Sequence, residues 1–435
     1  MSDTKYLAHY GLKALLDKGA NEAGCSVTVS RLKEFNFETD RFTLYRSNTN
    51  HSVSMVSIEE GRYATLAGNN ISEDGLKAQA KLCLETGKSS PKDPCRRIAP
   101  EGKEIKTKEG SMEYDEEKLF ARCTELIETV KERYPTIVLE RFIAAYQKQE
   151  SCAVYSNGGV YESERGFYSA SLMYGSKSGE KSSSFYYQGL LLPDLKSPWI
   201  EIDGLDDDIS KVSVQWDSRP LASNFEGTVL MTPNQVEGIF EDVISNFCGD
   251  SGLMLETSLW KNKLGDRVAD KRLNLRIEPL NSKFLGGSRH TAEGAEAKNY
   301  TIIESGILKN FALSDFAALK KDLPAAPNSE APGYMVINAG DKSVQEIIGS
   351  IKKGILVMRL SGGMPAANGD FSAVAKNSFL IENGEIKYPL RELMINGNLA
   401  DMMNSIKAIS KETRGGYSSK VPFMAFEPML ISGAE

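Results

Sequence analysis

Residues 360–389 hold the densest set of glycines, turns and strand-like runs in the sequence, LSGGMPAANGDFSAVAKNSFLIENGEIKYP. Its paired glycines leave the backbone free to adopt positive φ, Pro365 fixes a turn, and an Asn-Gly-Asp run gives a second turn. Such a loop can line a cavity and present backbone amides to an extended peptide, which binds as an added strand. The residues that we predict to line this cavity are Gly362, Gly363, Asn368, Gly369, Asp370 and Ser372. The alternative is that they only shape turns.

A β-hairpin is predicted directly after this loop. Phe379 to Glu382 is typical of a strand, and Glu385 to Leu390 is its return strand. Between them, Asn383-Gly384 is the residue pair that a two-residue type I′ turn prefers. The loop therefore lies beside a hairpin.

Other patterns of reactive side chains do not add up to a catalytic set. Ser-x-x-Lys pairs are expected by chance in a chain with this many serines and lysines, and they occur at Ser30/Lys33, Ser178/Lys181 and Ser350/Lys353. The sequence contains no Gly-x-Ser-x-Gly elbow, no Walker A loop and no Gly-x-Gly-x-x-Gly. We therefore predict no catalytic residue on this chain.

Potential metal ligands are scarce. The histidines are His9, His51 and His290, and no two lie within one helical turn of each other. Zinc needs three or four nitrogen, sulfur or oxygen ligands around one point, so no metal site is predicted. His290 is expected to be solvated in a polar loop. The acidic run Asp206–Asp208 lacks the ligand spacing of an EF-hand, which favours a solvated loop or helix start over a calcium site.

The clearest helix is predicted from Pro233 to Phe247, after a strand from Gly227 to Met231. Thr232 is a good N-cap, and Pro233 occupies the first helical position, where its missing N–H costs nothing. One stripe collects the apolar side chains Val236, Ile239, Phe240, Val243, Ile244 and Phe247. This helix is expected in the core or at a subunit interface.

The rest of the chain predicts an α+β protein of two domains, 1–219 and 220–435. The first domain has helices on an antiparallel sheet, and the second has a larger, mostly antiparallel sheet. Helices are predicted at 4–18, through 76–84 and from Asp115 to Tyr134, with a surface loop at 89–110. Short strands are predicted at 23–30, 35–39, 43–46, 52–58, 62–67, 136–147, 153–155, 168–174 and 184–191.

Composition and charge indicate which binding partners and which cellular compartment to expect. The net charge of −7 and the absence of a basic patch argue against nucleic-acid binding. No export signal and no apolar run near the roughly 20 residues of a membrane span are found, so we expect a cytoplasmic protein without membrane contact. The six scattered cysteines, without a CxxC pair, favour reduced thiols over a disulfide framework.

Several segments carry a resemblance to a known family. They are GGMPAANGDFS, FLIENGEIKYPL and INGNLADMMNSI, with SLWKNKLGDRVADKRLNLRIEP, ESGILKNF and PGYMVINAGDKS before them. Together they resemble the PmbA/TldD family, once named a modulator of DNA gyrase, and in particular its PmbA (TldE) branch. The resemblance covers the chain from about residue 5 to the end and is strongest after Val229.

The resemblance implies a two-subunit zinc peptidase that processes peptides. In the catalytic TldD branch the strand and helix after Gly227 carry His-Glu-x-x-x-His, and a glycine-rich segment near the C-terminus supplies a cysteine ligand. Here the corresponding segments read TPNQVEGIF (232–240) and TRGGYSSKVP (413–422), without histidine or cysteine. The resemblance thus implies a pseudo-enzyme subunit without a cofactor, joined in a heterodimer to a TldD-like subunit that holds the zinc. Its reaction would be hydrolysis of unfolded or leader-type peptides.

Two alternatives remain open at this point. The chain can be a stand-alone peptidase with an unrecognised site, or a homodimeric module that binds a peptide or another ligand without hydrolysis. A homodimer is also possible when the chain is isolated.

Overall fold

A computed structural model describes residues 4–328 and 333–433. The predicted α+β class is confirmed. The α-helices are α1 Thr4–Leu16, α2 Glu73–Lys88, α3 Glu116–Arg133, α4 Leu205–Val212, α5 Pro233–Val243, α6 Asp250–Met254, α7 Asp315–Lys321, α8 Val344–Gly349 and α9 Leu399–Asn404. Within the described ranges, no helix is long and apolar enough to cross a bilayer.

The strands divide into an N-terminal and a C-terminal group. The first group is β1 Glu22–Glu38, β2 Arg41–Glu59, β3 Arg62–Gly68, β4 Glu104–Gly110, β5 Ile137–Tyr155, β6 Val160–Ser178, β7 Lys181–Ser182 and β8 Tyr186–Leu192. The second group is β9 Phe225–Met231, β10 Leu275–Ile277, β11 Tyr300–Glu304, β12 Ile307–Leu308, β13 Met335–Ile337, β14 Lys353–Val357, β15 Arg359–Ser361, β16 Asp370–Lys376, β17 Ser378–Glu382, β18 Glu385–Leu390, β19 Leu393–Asn398, β20 Ile406–Arg414 and β21 Val421–Gly433.

Long antiparallel strands build the first sheet, in the order β3-β2-β1-β5-β6-β4, with β7 and β8 also paired to β6. The predicted short strands were wrong in length, because runs with turn-like composition stay extended when they pair. Ser47–Ser52 is part of β2 and pairs with Thr28–Lys33 of β1. The break between β1 and β2 falls at Thr39 and Asp40, whose φ values are 47° and 64°.

The predicted surface loop at 89–110 was wrong at its end. Residues 104–110 form β4, which pairs in parallel with Val160–Gly166 of β6. Its sequence is rich in charged residues, as is common for a strand at the edge of a sheet. The strand with which β4 pairs begins some fifty residues later in the chain, so the composition of 104–110 alone does not predict the pairing.

The second sheet has the order β15-β16-β19-β21-β9-β14-β17-β18, with β20 paired to β21, and β9 and β14 are parallel. A smaller sheet has the order β12-β11-β10-β13. The predicted hairpin is confirmed. Asn383 and Gly384 have φ values of 52° and 79°, as a type I′ turn requires, and Glu382 pairs with Glu385.

Helix α5 lies in the core, as its apolar stripe predicts. All six predicted side chains are buried. The α-helix ends at Val243 and continues as a π-helix from Ile244 to Cys248, so the predicted extent is right but its last turn is wider. Thr232 occupies the N-cap position without capping through its side chain, because its hydroxyl donates to the carbonyl of Met358 at 3.4 Å.

One hydrophobic cluster contains residues from both predicted domains. Phe142 and Trp199 from the N-terminal half share it with Leu230, Leu356 and Phe423 from the C-terminal half. Residue 220 lies between the 3₁₀ turn Gln215–Asp217 and β9. The boundary at 219/220 stays a prediction, and the two halves are packed against each other around it.

An ion pair also joins the halves. The acidic run Asp206–Asp208 starts α4, so the predicted helix start is confirmed, but it is not simply solvated. Asp208 is buried and accepts from a guanidinium N–H of Arg414 at 2.6 Å, while Asp207 accepts from another at 2.5 Å. The guanidinium passes over Gly204, where a methyl group would lie 2.2 Å from its central carbon.

Replacing Arg414 with Met should be strongly destabilising, because it leaves the buried Asp208 carboxylate without its cation. We expect a loss of about 3–5 kcal/mol in the free energy of unfolding, measured by urea denaturation. Adding Asp208→Asn should recover at least about 1 kcal/mol, since the unpaired charge is then gone.

The matched control is Arg133→Met. Arg133, the last residue of α3, forms an ion pair with Asp206 of α4, and both side chains are about half exposed. That pair should contribute at most about 1 kcal/mol. Equal losses for Arg414→Met and Arg133→Met would contradict a structural role for the buried pair.

Candidate functional site

Helix α5 lines one cavity, and a second cavity lies at the turn between β20 and β21. The loop cavity, of about 250 Å³, lies between α5 and the 360–373 loop, and is lined by Gln235, Gly238, Ile239, Glu241, Asp242, Leu360, Gly362, Gly363, Pro365, Phe371 and Ala373. The hairpin cavity, of about 330 Å³, is lined by residues of β6 and β8, by Ile202 and Asp203, and by Gly415, Gly416 and Ser418 between β20 and β21. The segments that the family resemblance singled out, 232–240 and 413–422, therefore both lie at this site.

Two of the six predicted cavity residues line the loop cavity. Gly362 and Gly363 have φ values of 68° and 75°, so they need the left-handed freedom that the sequence predicts. A methyl group at Gly363 would lie 2.5 Å from the carbonyl oxygen of Ser372, whereas at Gly362 it would meet open space. Of these two glycines, Gly363 is the one at which the backbone lies close against β16.

The other four predicted residues do not line that cavity. Asp370 accepts from the side-chain amides of Asn368 at 2.6 Å and Asn398 at 2.9 Å, and these bonds hold the pKa of its carboxyl below the ordinary value. Gly369 is buried, with a φ of 85°. Ser372 is exposed on β16. The structure thus gives Asn368, Gly369 and Asp370 a turn-shaping role, and a contact with peptide stays a prediction for all six.

The loop cavity borders an open sheet edge. Strand β15 is the outermost strand of the second sheet, at the end opposite β18. The backbone N–H of Leu360 in this strand donates to the side-chain oxygen of Gln235 at 2.7 Å. An α5 side chain therefore caps an edge amide that would otherwise be available to another strand.

Helix α5 itself carries the carboxyl groups of Glu237, Glu241 and Asp242. Burial raises the pKa of Glu241 and Asp242, which line the loop cavity, and a neighbouring Asp242 raises that of Glu241 further. Burial also raises the pKa of Glu237 to about 7, opposed by the Ser419 hydroxyl and reinforced by Glu241 and Asp203. The site is therefore acidic in composition but holds its protons more tightly than free carboxylates do.

The hairpin cavity is organised by Asp203. One carboxylate oxygen accepts from the backbone N–H of Gly415 at 2.9 Å and of Gly416 at 3.2 Å. These glycines have φ values of 125° and 57°. Burial raises the pKa of Asp203, while the two N–H groups and Arg414 oppose that rise. Asp203 thus fixes the turn that faces α5.

Sequence reasoning did not find Gln235, Glu237, Asp203 or Arg414. Gln235 and Glu237 belong to the TPNQVEGIF segment, which the sequence analysis interpreted only from its lack of histidine. Asp203 and Arg414 lie more than 200 residues apart in the chain. Local patterns do not show that such residues meet.

The predicted solvated environment of His290 was wrong. Its ring lies 4.6 Å from the ring of Tyr161, and its Nδ1 is 3.1 Å from the Tyr155 hydroxyl. Burial lowers the pKa of His290. The side chain packs between two tyrosines of the first sheet.

Donors suitable for zinc do not converge at this site. In segments 232–240 and 413–422 the only carboxylate is Glu237, and its neighbour Ser419 is a neutral hydroxyl. Within residues 4–328 and 333–433, no group of three or more His, Cys, Asp or Glu side chains is arranged to hold a metal ion. The residues present therefore do not fit a zinc ion.

Comparison with known proteins places the C-terminal half in a family. Residues 225–433 match the PmbA/TldA metallopeptidase C-terminal domain. The zinc metalloprotease TldD homolog of Saccharolobus solfataricus is 30% identical over 206 residues, 45% of this chain and 46% of that protein. Metalloprotease PmbA of Escherichia coli O157:H7 is 26% identical over 260 residues, 59% and 56% of the two chains. The chain spans about half the length of the curated relatives it matches.

Solved structures share the fold over the whole chain. TldE from Thermococcus kodakarensis has a TM-score of 0.84 at 21% identity, covering 98% of this chain and 99% of that one. A protein described as a putative modulator of DNA gyrase from Bacteroides thetaiotaomicron has a TM-score of 0.84 at 23% identity, with both chains fully covered. At these identities the likeness establishes the fold alone.

Replacing Glu237 with Gln should change how stability depends on pH. Because the folded state holds this proton more tightly, its contribution is fully present below the unfolded pKa of 4.5 and is lost as pH rises through the folded value of about 7. Glutamine mimics the protonated form at every pH. The stability of Glu237→Gln relative to the unmodified chain should therefore increase between about pH 4.5 and pH 7 and then level off.

Urea unfolding at a series of pH values measures this difference. Asn234→Gln, at an exposed position on the same helix, is the control, and its relative stability should not vary over that pH range. A pH-independent difference for Glu237→Gln would show that this carboxyl titrates normally in the folded protein.

Proposed function

We propose that this chain, whose residues 225–433 match the PmbA/TldA metallopeptidase C-terminal domain, is the PmbA-type partner of a TldD-like zinc metallopeptidase. The two subunits form a heterodimer, and the TldD-like subunit supplies the zinc. This chain contributes cavity walls and no metal ligand. The complex hydrolyses unfolded or leader-type peptides in the cytoplasm.

The observation that carries the proposal is how segment 232–240 uses its own polar side chains. Thr232 is buried, and its hydroxyl donates to Met358. Gln235 caps the Leu360 amide. In the position where the catalytic branch carries its zinc motif, these two side chains are engaged within this chain. They support a packing and wall-forming role for α5.

The loop cavity supports the peptide-binding part of the proposal. An extended peptide can pair with an open sheet edge through its backbone, largely independently of its side chains. Strand β15 is the edge strand beside the loop cavity, with Gly362 and Gly363 in the adjoining loop, and a peptide that pairs with it displaces Gln235 from the Leu360 amide. A cavity closed by two subunits admits flexible chains and excludes folded proteins by size.

Native mass spectrometry of the purified chain, alone and mixed with a TldD-like partner, tests the subunit assignment. We expect a zinc-free chain that forms a one-to-one complex with a zinc-loaded partner, with peptide cleavage only by the complex. Stoichiometric zinc on this chain alone would contradict the proposal. So would peptide cleavage by the isolated chain, or a homodimer that does not engage the partner.

Replacing Gly363 with Val tests the role of the loop. The side chain would meet the Ser372 carbonyl at a backbone φ of 75°, so the loop must shift. We expect the assembled complex to lose at least about tenfold in kcat/KM on an unfolded peptide, equivalent to about 1.4 kcal/mol.

Gly179→Asn, in the β6–β7 turn outside the cavity, is the matched control for that substitution. Its position has a φ of 59° and open space around the new side chain, and Asn tolerates left-handed geometry. Its complex should retain activity. Unchanged activity of a folded Gly363→Val complex would remove this loop from peptide processing.

A further inference from the structure

The two faces of strand β15 offer different surroundings to a peptide that pairs with its edge. Leu360 lines the loop cavity. Side chains alternate between the faces of a strand, so the neighbouring Arg359 points to the opposite face. There its guanidinium lies over the rings of Phe185 and Tyr187, and we call these three side chains the arginine platform. A paired peptide therefore directs one side chain toward the loop cavity and the next toward the platform.

The arginine platform is held together by contacts between its members. The guanidinium carbon of Arg359 lies 4.0 Å from the ring centre of Phe185 and 5.8 Å from that of Tyr187. The two rings meet edge to face, with their centres 5.0 Å apart. One guanidinium N–H donates to the carbonyl oxygen of Phe185 at 2.6 Å. Arg359 is partly exposed and Tyr187 is 53% exposed, so a ligand can reach the platform from solvent.

Positive charge on this face of the sheet is only partly neutralised. Arg359 lies directly opposite Lys376 of β16, which puts two cations side by side on one face. Glu392 accepts from Nζ of Lys376 at 2.8 Å and from the Ser184 hydroxyl at 2.9 Å. In the part of the chain that the structure describes, Arg359 forms no ion pair with any carboxylate. One carboxylate therefore serves two cations on this face.

The surroundings of Arg359 favour an added anion. Burial lowers the pKa of Arg359, and the nearby Tyr187 and Glu392 offset this effect only in part. A carboxylate beside the guanidinium supplies the missing attraction, since it can accept two parallel N–H groups. An ammonium group at the same place is repelled by both cations of this face. The charge of the platform therefore fits a carboxylate.

The backbone of β15 places a peptide side chain at the platform. The N–H of Leu360 points away from β16, because it donates to Gln235 at 2.7 Å. In an antiparallel pair both backbone groups of a residue point the same way, so the Leu360 carbonyl also faces the open edge. A peptide that takes these two groups in place of Gln235 has its next residue opposite Arg359. Opposite Cβ atoms lie about 4.5–5.5 Å apart on one face, so the two side chains meet.

We propose that the arginine platform is a specificity subsite for a carboxylate of the bound peptide, from an acidic side chain or from the C-terminus. The residue that carries this carboxylate is a sequence neighbour of the residue that pairs with Leu360. The inference rests on the proposed addition of a peptide strand to β15 and names the peptides that this edge prefers. It requires neither the partner subunit nor zinc.

Fluorescence anisotropy of the full chain with three peptides tests this preference. The probes share the sequence Ser-Ala-Ser-X-Ser-Ala-Ser and carry tetramethylrhodamine at the N-terminus. One has X = Glu and a C-terminal amide, one has X = Gln and an amide, and one has X = Gln and a free C-terminal carboxylate. At low ionic strength, we expect at least one carboxylate probe to bind at least about fivefold more tightly than the amidated Gln probe. The probe that gains affinity identifies the source of the carboxylate.

The outcomes separate this inference from the proposals on which it rests. Equal affinities of the three probes would overturn the subsite and leave strand addition to β15 standing. No saturable binding of any probe would overturn the subsite together with strand addition at this edge. Both results leave the subunit assignment to be decided by the zinc content and the mass of the complex.

Arg359→Gln connects the preference to the platform, because it removes the charge and keeps a hydrogen-bond donor. It should lower the affinity of the preferred carboxylate probe to that of the amidated Gln probe. The matched control is Arg141→Gln, at an exposed arginine of β5 that forms no ion pair within the described residues. Its preference should equal that of the unmodified chain. A full carboxylate preference in folded Arg359→Gln would overturn the proposal.

Circular dichroism melting curves check that both variants are folded. If Arg359→Gln does not fold, the salt dependence of the unmodified chain decides the question. An ion pair at a solvent-accessible platform is screened by salt, so the carboxylate preference should shrink as ionic strength rises. A preference of the same size at low and at high salt would overturn the assignment to an ion pair with Arg359.

Discussion

The buried ion pair between Asp208 and Arg414 is the interaction on which the site around α5 depends. It ties the first turn of α4 to the end of β20, across 206 residues of sequence. Gly204 leaves room for the guanidinium, and neighbouring Asp203 binds the Gly415 and Gly416 amides. A buried charge is tolerated only with its partner in place, so this geometry requires that the two halves be assembled.

The same burial explains the unusual protonation around α5. The guanidinium N–H groups of Arg414 donate to the carboxylates of Asp207 and Asp208. The pKa of Asp208 is nevertheless raised, because desolvation outweighs the attraction of the arginine. Burial also raises the pKa of Glu237, to about 7, and there the opposing group is the neutral hydroxyl of Ser419. Desolvation, rather than repulsion between acids, therefore sets the proton affinity of the site.

Features that depend on nearby residues could be predicted from the sequence. The α5 stripe and the Asn383-Gly384 turn each follow from spacing or from one residue's backbone preference. Features that depend on distant partners could not. Strand β4 forms because it pairs with β6. Asp208 can be buried because the guanidinium of Arg414 binds its carboxylate. For the predicted loop site, Gly362 and Gly363 do line a cavity, but the opposite wall comes from α5, which no local pattern connects to this loop.

The side chains of segment 232–240 supply few of the donors that a zinc site needs. A zinc site needs three or four donors converging at about 2.0–2.3 Å, each deprotonated or neutral as the metal requires. Here the Thr232 hydroxyl faces a backbone carbonyl, Gln235 binds the β15 edge, and Glu237 holds its proton up to about pH 7. Thr232 and Gln235 thus fasten the start of α5 to the second sheet through their side chains.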